Sequence, residues 1–490
     1  MKLNLTIMKF ILSKWFVPAF SCVAILFFSS CEKQLNDKRV NPEAITSAIP
    51  SSFLSPVLYG FITSGLLRSH DINAEFMQVD CAKQETDQLH RYIVNPSIYS
   101  QIWNELYPVL NNNEAMLQSA IAYDDVNYQA IAYTLKALVF SVLSDTYGDV
   151  PFRQALQGDS ALLITPAFDR QQLIYDSLIV YLDRADSLYN TSATLSGSLG
   201  NDILYGGNLT RWKQFANVLQ LRLLMRVQKK GSQYTDKIKY ILSNPSKYPL
   251  MQNQADGAAI YYTGVSPNLN PFATLTSESF NTTNWGLAHY FVNTLNTNKD
   301  PRLPIWATKP KTGYEGIPSG YPTTYYDTLS GISWSTFQDS LKQSSLMGSI
   351  LQYAEQEFML AEAALNGYSN GNPQTYYLNG VNAAITYWGG KTTSTFLSST
   401  PIAYNGTLQQ IITQKYFGLF MNDLQQWFEY RRTGFPILDP IGSGAANNGK
   451  MPVRIPYPTT EQLYNQTNYN NELTIIGTDD INSLVWWQQP

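Results

Sequence analysis

Little in this chain could build a covalent or metal-held scaffold. Its 490 residues contain three cysteines and three histidines. Cys22, Cys31 and Cys81 can form at most one disulfide, so the fold depends on a packed core. His70, His90 and His289 show no H-x-x-x-H spacing, which argues against a zinc hydrolase. No spaced D-x-D-x-D-G calcium loop occurs. Charged residues make up 14% of the chain, with 37 acids against 33 bases. That balance excludes the basic face of a nucleic-acid binder. Beyond the N-terminus, no apolar run reads as long enough to cross a membrane. The sequence therefore calls for no metal, no cofactor and no catalytic set.

Flat rings are plentiful instead. Aromatic residues are 13% of the chain, including 33 tyrosines and 10 tryptophans. The balance suits a protein that meets neutral polar ligands, and it equally suits a large aromatic core. At the N-terminus Lys2, Lys9 and Lys14 precede an apolar run over residues 15–28. A spanning helix needs about 20 such residues, so the run reads as a signal-peptide core. It ends in Phe28-Ser29-Ser30-Cys31, a lipobox-like sequence that would leave Cys31 acylated at a new N-terminus. Cleavage at a small-residue site without lipid is the alternative. Removing residues 1–30 takes three lysines and no acids, leaving 30 bases, 37 acids and a formal charge of −7. Cys81 then stands alone, and 460 residues are ample for a core.

Periodicity predicts helices over residues 53–67, 97–123, 127–144, 169–189, 210–228, 353–366 and 375–387. Residues 31–52 read as a polar tether, and residues 71–96 as an irregular solvated loop. The second long helix carries Ala130, Ala132 and Ala137, small enough for the close approach of tetratricopeptide-like hairpins. Residues 244–347 lose regularity but hold Trp285, Trp306, Tyr314, Tyr321, Tyr325, Tyr326 and Trp334. So long an irregular stretch is usually functional or disordered, and its rings argue against a solvated linker. It is taken as a ligand-facing insertion, with a helix around residues 285–295. Trp285, Tyr314, Tyr321 and Trp334 are its stacking candidates.

Near the C-terminus Ile412, Tyr416, Leu419 and Phe420 share a helical face, followed by Leu424, Trp427 and Phe428 after a polar break. Asn422 reads as the second helix's N-cap, Gly434 as its left-handed C-terminal stop and Pro436 as a block to continuation. Arg431 and Arg432 suit the carbonyl end of its dipole.

The run Trp427-Phe428-Glu429-Tyr430-Arg431-Arg432-Thr433-Gly434-Phe435-Pro436, followed by Arg454-Ile455-Pro456-Tyr457-Pro458, resembles the C-terminal signature of SusD/RagB-like nutrient-binding outer-membrane lipoproteins, closest to the SusD-like 2 branch. Further stretches are similar: Asp145-Thr146-Tyr147-Gly148-Asp149-Val150-Pro151, the helix with Arg222 and Arg226, Asp300-Pro301-Arg302, and the Glu357 to Ala363 helix. The resemblance implies a mainly α fold, a SusD-like scaffold of tetratricopeptide-like helix pairs with long irregular loops and few short strands. It implies a signal peptide over 1–30 and one nutrient-binding domain over 31–490. It also implies a cell-surface binding subunit, lipid-anchored in the outer membrane, that passes oligosaccharide, or else peptide, to a SusC-like TonB-dependent barrel. Since that family's site draws on loops after the first helix, Gln84, Asp87 and Tyr92 join the ligand-binding candidates.

A glycoside hydrolase built on helical hairpins is the enzymatic rival, and it needs two carboxylates about 5 to 10 Å apart across a cleft. Glu355, Glu357 and Glu362 on one predicted helix read more simply as its polar face and packing contacts. A scaffold that binds only protein fits the hairpins but not the ring-rich insertion. Residues 444–451 approach a phosphate loop, but Met451 replaces the metal-binding hydroxyl and Pro452 opposes a following helix.

Overall fold

The computed structural model describes residues 48–83, 88–157, 162–266, 268–275, 280, 285–343 and 346–490. The predicted signal segment, Cys31, and the candidates Gln84 and Asp87 lie outside the described residues. Among them, twelve helices of nine or more residues are numbered here: α1 Ser51–Arg68, α2 Pro96–Ala122, α3 Val126–Tyr147, α4 Gln171–Leu188, α5 Leu209–Val227, α6 Ser232–Ser243, α7 His289–Thr297, α8 Tyr353–Leu365, α9 Pro373–Tyr387, α10 Leu408–Gly418, α11 Gln425–Thr433 and α12 Gln466–Ile476. Helix α1 begins inside the span read as tether, because Leu54, Val57, Leu58, Phe61 and Ile62 form an apolar stripe that buries completely. The mainly α expectation holds, and the paired helices match it: α2 packs on α3, α4 on α5, α8 on α9, and α10 on α11.

Helix α3 is the centre. Asp125 caps it by accepting from the backbone of Asn127 and Tyr128, and Gly148 stops it at a φ of 89°. It does have the length and hydropathy of a membrane span, against the sequence expectation, yet 89% of that window is buried within the protein. Helices α2, α4 and α5 cover it. Small residues set close packing elsewhere too. A Cβ on Gly380 of α9 would lie 2.8 Å from the Phe358 ring of α8.

Buried guanidinium contacts join α5, α8 and α11. Arg222 of α5 grips Glu355 of α8, Arg226 donates to Gln425 of α11, and Arg432 of α11 bonds Glu362 of α8 at 2.7 Å through each terminal nitrogen. Glu355 and Glu362, read as part of a polar helix face, are therefore buried, because guanidinium partners neutralise them. Asn422 is not the N-cap of α11. Leu424 holds that position without a side-chain bond, while Gly434 does end the helix in the left-handed region.

Six strands of two to five residues occur among the described residues, paired antiparallel: β1 Asp80–Ala82 with β5 Trp285–Leu287, β2 Val150–Pro151 with β3 Phe168–Asp169, and β4 Ala258–Tyr261 with β6 Met347–Leu351. The first pair underlies the candidate site. It ties the segment after α1 to the ring-rich insertion, with Cys81 opposite Gly286.

Candidate functional site

The segment read as a solvated loop after α1 is largely buried. His70, Asn73, Glu75, Gln78, Asp80 and His90 are each under 3% exposed. Tyr92 is 4% exposed, so its ring packs in the core and is unavailable at the surface. This segment serves as the floor for the insertion.

Strand alternation then sorts the insertion's aromatics. Trp285 stands on the β5 face opposite Gly286 and packs against His70, 6.0 Å between ring centroids, beside Phe280 and Phe337. On the Gly286 face a small separate cluster forms from Cys81, Ile317 and Tyr326. Tyr321, Tyr325 and Trp334 pack on it, each half-buried. Tyr314 instead packs against the main core, with the Lys309 ammonium 5.5 Å over its ring. Trp306 is wholly buried. Of the four stacking candidates the structure brings together Tyr321 and Trp334, and adds Tyr325, whose four-residue spacing from Tyr321 was the available signal.

Hydrogen bonds from the floor fix this platform. The Tyr326 hydroxyl donates to Pro318 O at 2.8 Å, lies 3.2 Å from Cys81 Sγ, and accepts from the Tyr321 backbone at 3.3 Å. The Gly320 N–H donates to His90 Nδ1 at 3.1 Å, which leaves the ring proton on Nε2. Burial pushes His90 down to about 3, so the ring stays neutral and remains an acceptor. Burial pushes the Cys81 thiol up, which makes it a packing group rather than a nucleophile.

The third wall is the loop that follows α11. Gly320 has a φ of 86°, and a Cβ there would lie 2.5 Å from Ile441. A Cβ on Gly442 would lie 2.4 Å from the Tyr321 ring. Gly442 N–H donates to Ser319 O, Ala446 N–H to Arg91 O, and Arg91 Nε to Gly444 O. The stretch that approached a phosphate loop is thus a brace beneath tyrosines. At the rim His289 Nδ1 and Asp439 Oδ2 are 2.6 Å apart and about half-exposed. The spacing rule for metal ligands offered no route to this pair. Together these groups give flat apolar rings beside an exposed carboxylate and imidazole, an arrangement suited to a ligand with one greasy face and hydroxyls at its edge.

The motif Asp145 to Pro151 is structural. Asp145 accepts from Tyr175, from Trp487 Nε1 at 2.9 Å, and sits by Arg226. Asp149 is bonded by Arg170, whose Nη1 also lies 3.6 Å from Glu472 Oε1 of α12.

A family model described as starch-binding proteins associating with the outer membrane matches residues 42–458. Among solved structures, a chitin-binding protein is 24% identical with a TM-score of 0.77, covering 90% of this chain and 100% of that one. A chitin-binding SusD homologue from Flavobacterium johnsoniae is 19% identical with a TM-score of 0.77, covering 90% and 98%. A SusD homologue from Bacteroides fragilis is 23% identical with a TM-score of 0.75, covering 90% and 100%. None of the curated proteins matches the chain.

Proposed function

The chain belongs to the SusD-like 2 family, and from that premise we propose that it is a cell-surface, lipid-anchored binding subunit that captures an oligosaccharide and delivers it to a SusC-like TonB-dependent barrel. The observation that carries the choice of ligand is the braced platform of Tyr321, Tyr325 and Trp334. Pyranose C–H faces stack on such rings, while the His289–Asp439 rim meets hydroxyls. Starch and chitin, named for the family and for two of the similar structures, are the first glycans to try.

The role is capture rather than turnover. Glu355 and Glu362 are committed to buried arginines, and Asp149 and Glu472 share Arg170. Delivery follows from differential contact: a ligand touched by both subunit and barrel favours their closed arrangement. Anchoring rests on acylation of Cys31.

Calorimetry of the purified protein against starch and chitin oligosaccharides, with short peptides as comparison, tests the ligand class. Glycan binding weakened by Tyr321→Ala supports the reading, and binding of peptides alone sinks it. Accumulating reducing ends that vanish on changing one carboxylate would make the protein a hydrolase instead.

A further inference from the structure

Three inward carboxylates sit on α8, and two of them are neutralised. Arg222 reaches Glu355, and Arg432 bonds Glu362. Glu357 is 3% exposed, yet among the described residues no lysine or arginine pairs with it. Its donors are neutral, Asn379 Nδ2 at 3.0 Å and Gln356 Nε2 at 3.4 Å, and the neutral Tyr353 hydroxyl is nearby. Buried charges are ordinarily paired, since an ion that leaves water without a partner is strongly disfavoured. Burial accordingly holds this carboxyl above its usual range.

Glu357 also differs from its neighbours in facing open space. It lines a cleft of about 740 Å³ between the end of α6, the connection into β4, and helices α8 and α9. Three phenol rings, Tyr353, Tyr368 and Tyr376, line the same cleft. The backbone at Gly371 lies against the Tyr376 ring so closely that a Cβ would come within 2.3 Å, which fixes that wall. Lys239 stands at the mouth with half its side chain exposed, 3.3 Å from Asp236. Its ammonium lies 6.0 Å over Tyr368, so a cation already rests on one of these rings.

We propose that this cleft is a receptor for a small organic ammonium ion, with Glu357 as its counter-charge and Tyr353, Tyr368 and Tyr376 as its aromatic walls. A carboxylate oxygen has two acceptor directions, so Glu357 retains capacity beyond its neutral donors. A cationic N–H or N–CH₃ group supplies the missing positive charge in a desolvated, ring-lined setting, where such contacts are strongest. The site shares no residue with the Tyr321 platform and does not depend on what that platform binds.

Choline and glucosamine are the probes, with 3,3-dimethyl-1-butanol and glucose as uncharged counterparts, titrated calorimetrically into the whole protein. Each ammonium probe is expected to bind about tenfold more tightly than its counterpart. Glu357→Gln, which preserves volume and one of the two amide contacts, is expected to erase that difference, and Tyr368→Leu to reduce it several-fold. The unfolding midpoint of Glu357→Gln should equal or exceed wild type, because an unpaired buried charge has gone. Equal binding of charged and neutral probes, silence from both ammonium compounds up to about 10 mM, or preference that survives Glu357→Gln would each overturn the proposal.

Discussion

Tyr321 and Tyr325 stack with ring centroids 3.9 Å apart and planes 17° from parallel. Each ring gives one face to the other, the Gly442 backbone lies against the Tyr321 ring, and Tyr326, edge-on to Tyr325, holds the pair from beneath. A ring contact of this kind contributes about 0.5–1.5 kcal/mol beyond burial. Tyr321→Ala and Trp334→Ala should each weaken glycan affinity roughly three- to tenfold by calorimetry. Trp285→Ala should lower the unfolding midpoint instead, since that ring packs on His70. Unchanged affinity in both platform variants would remove the site.

His90 makes the platform sensitive to acid. Its folded value of about 3 lies below the ordinary 6.5, because the buried ring must stay neutral to accept from Gly320. Stability from this group is complete above pH 6.5 and declines as pH falls toward 3, by at most about 1.4 kcal/mol per pH unit. His90→Gln offers an acceptor without titrating. Its denaturant midpoint should fall less than wild type between pH 7 and 4, and parallel curves would refute the assignment.

Glu472 gives a slope of opposite sign. Burial first, then the charge of Asp149, pushes its carboxyl up to about 8. A group protonated in the fold but ionised in the unfolded chain removes stability as pH rises from about 4.5 to 8. Glu472→Gln keeps a donor toward Asp149 and cannot ionise. It should gain stability over wild type at pH 8 and lose that advantage at pH 4.5, measured by thermal unfolding at both.

The helices were legible in sequence because apolar stripes at 3.6-residue spacing bury in any helical scaffold. The ends of α2, α3 and α5 fall within a few residues of expectation. What sequence could not supply was partnership at a distance. Arg432 reads as a helix-dipole cation until α8 arrives 70 residues away in sequence to present Glu362. Tyr92 and Tyr321 are both loop tyrosines, and only the β1–β5 pairing decides which is floor and which is platform. Asn422 was a sound cap by residue type, but the chain turns at Met421 and Asp423, both at positive φ, and the helix starts later.

Arg432 offers the sharpest test of the buried network. It bonds Glu362 through both terminal nitrogens and Glu429 through Nε and Nη2, and the two carboxylates have little contact with solvent. Arg432→Met should cost about 3–5 kcal/mol, because it strands charges that remain buried. Lys415 still reaches Glu429 at 2.9 Å, so Glu362 bears most of the loss. Adding Glu362→Gln to Arg432→Met should therefore recover part of the stability, even though a second contact has been deleted. A double variant less stable than the single one would show that the geometry of the network, rather than its charge balance, holds α8 to α11.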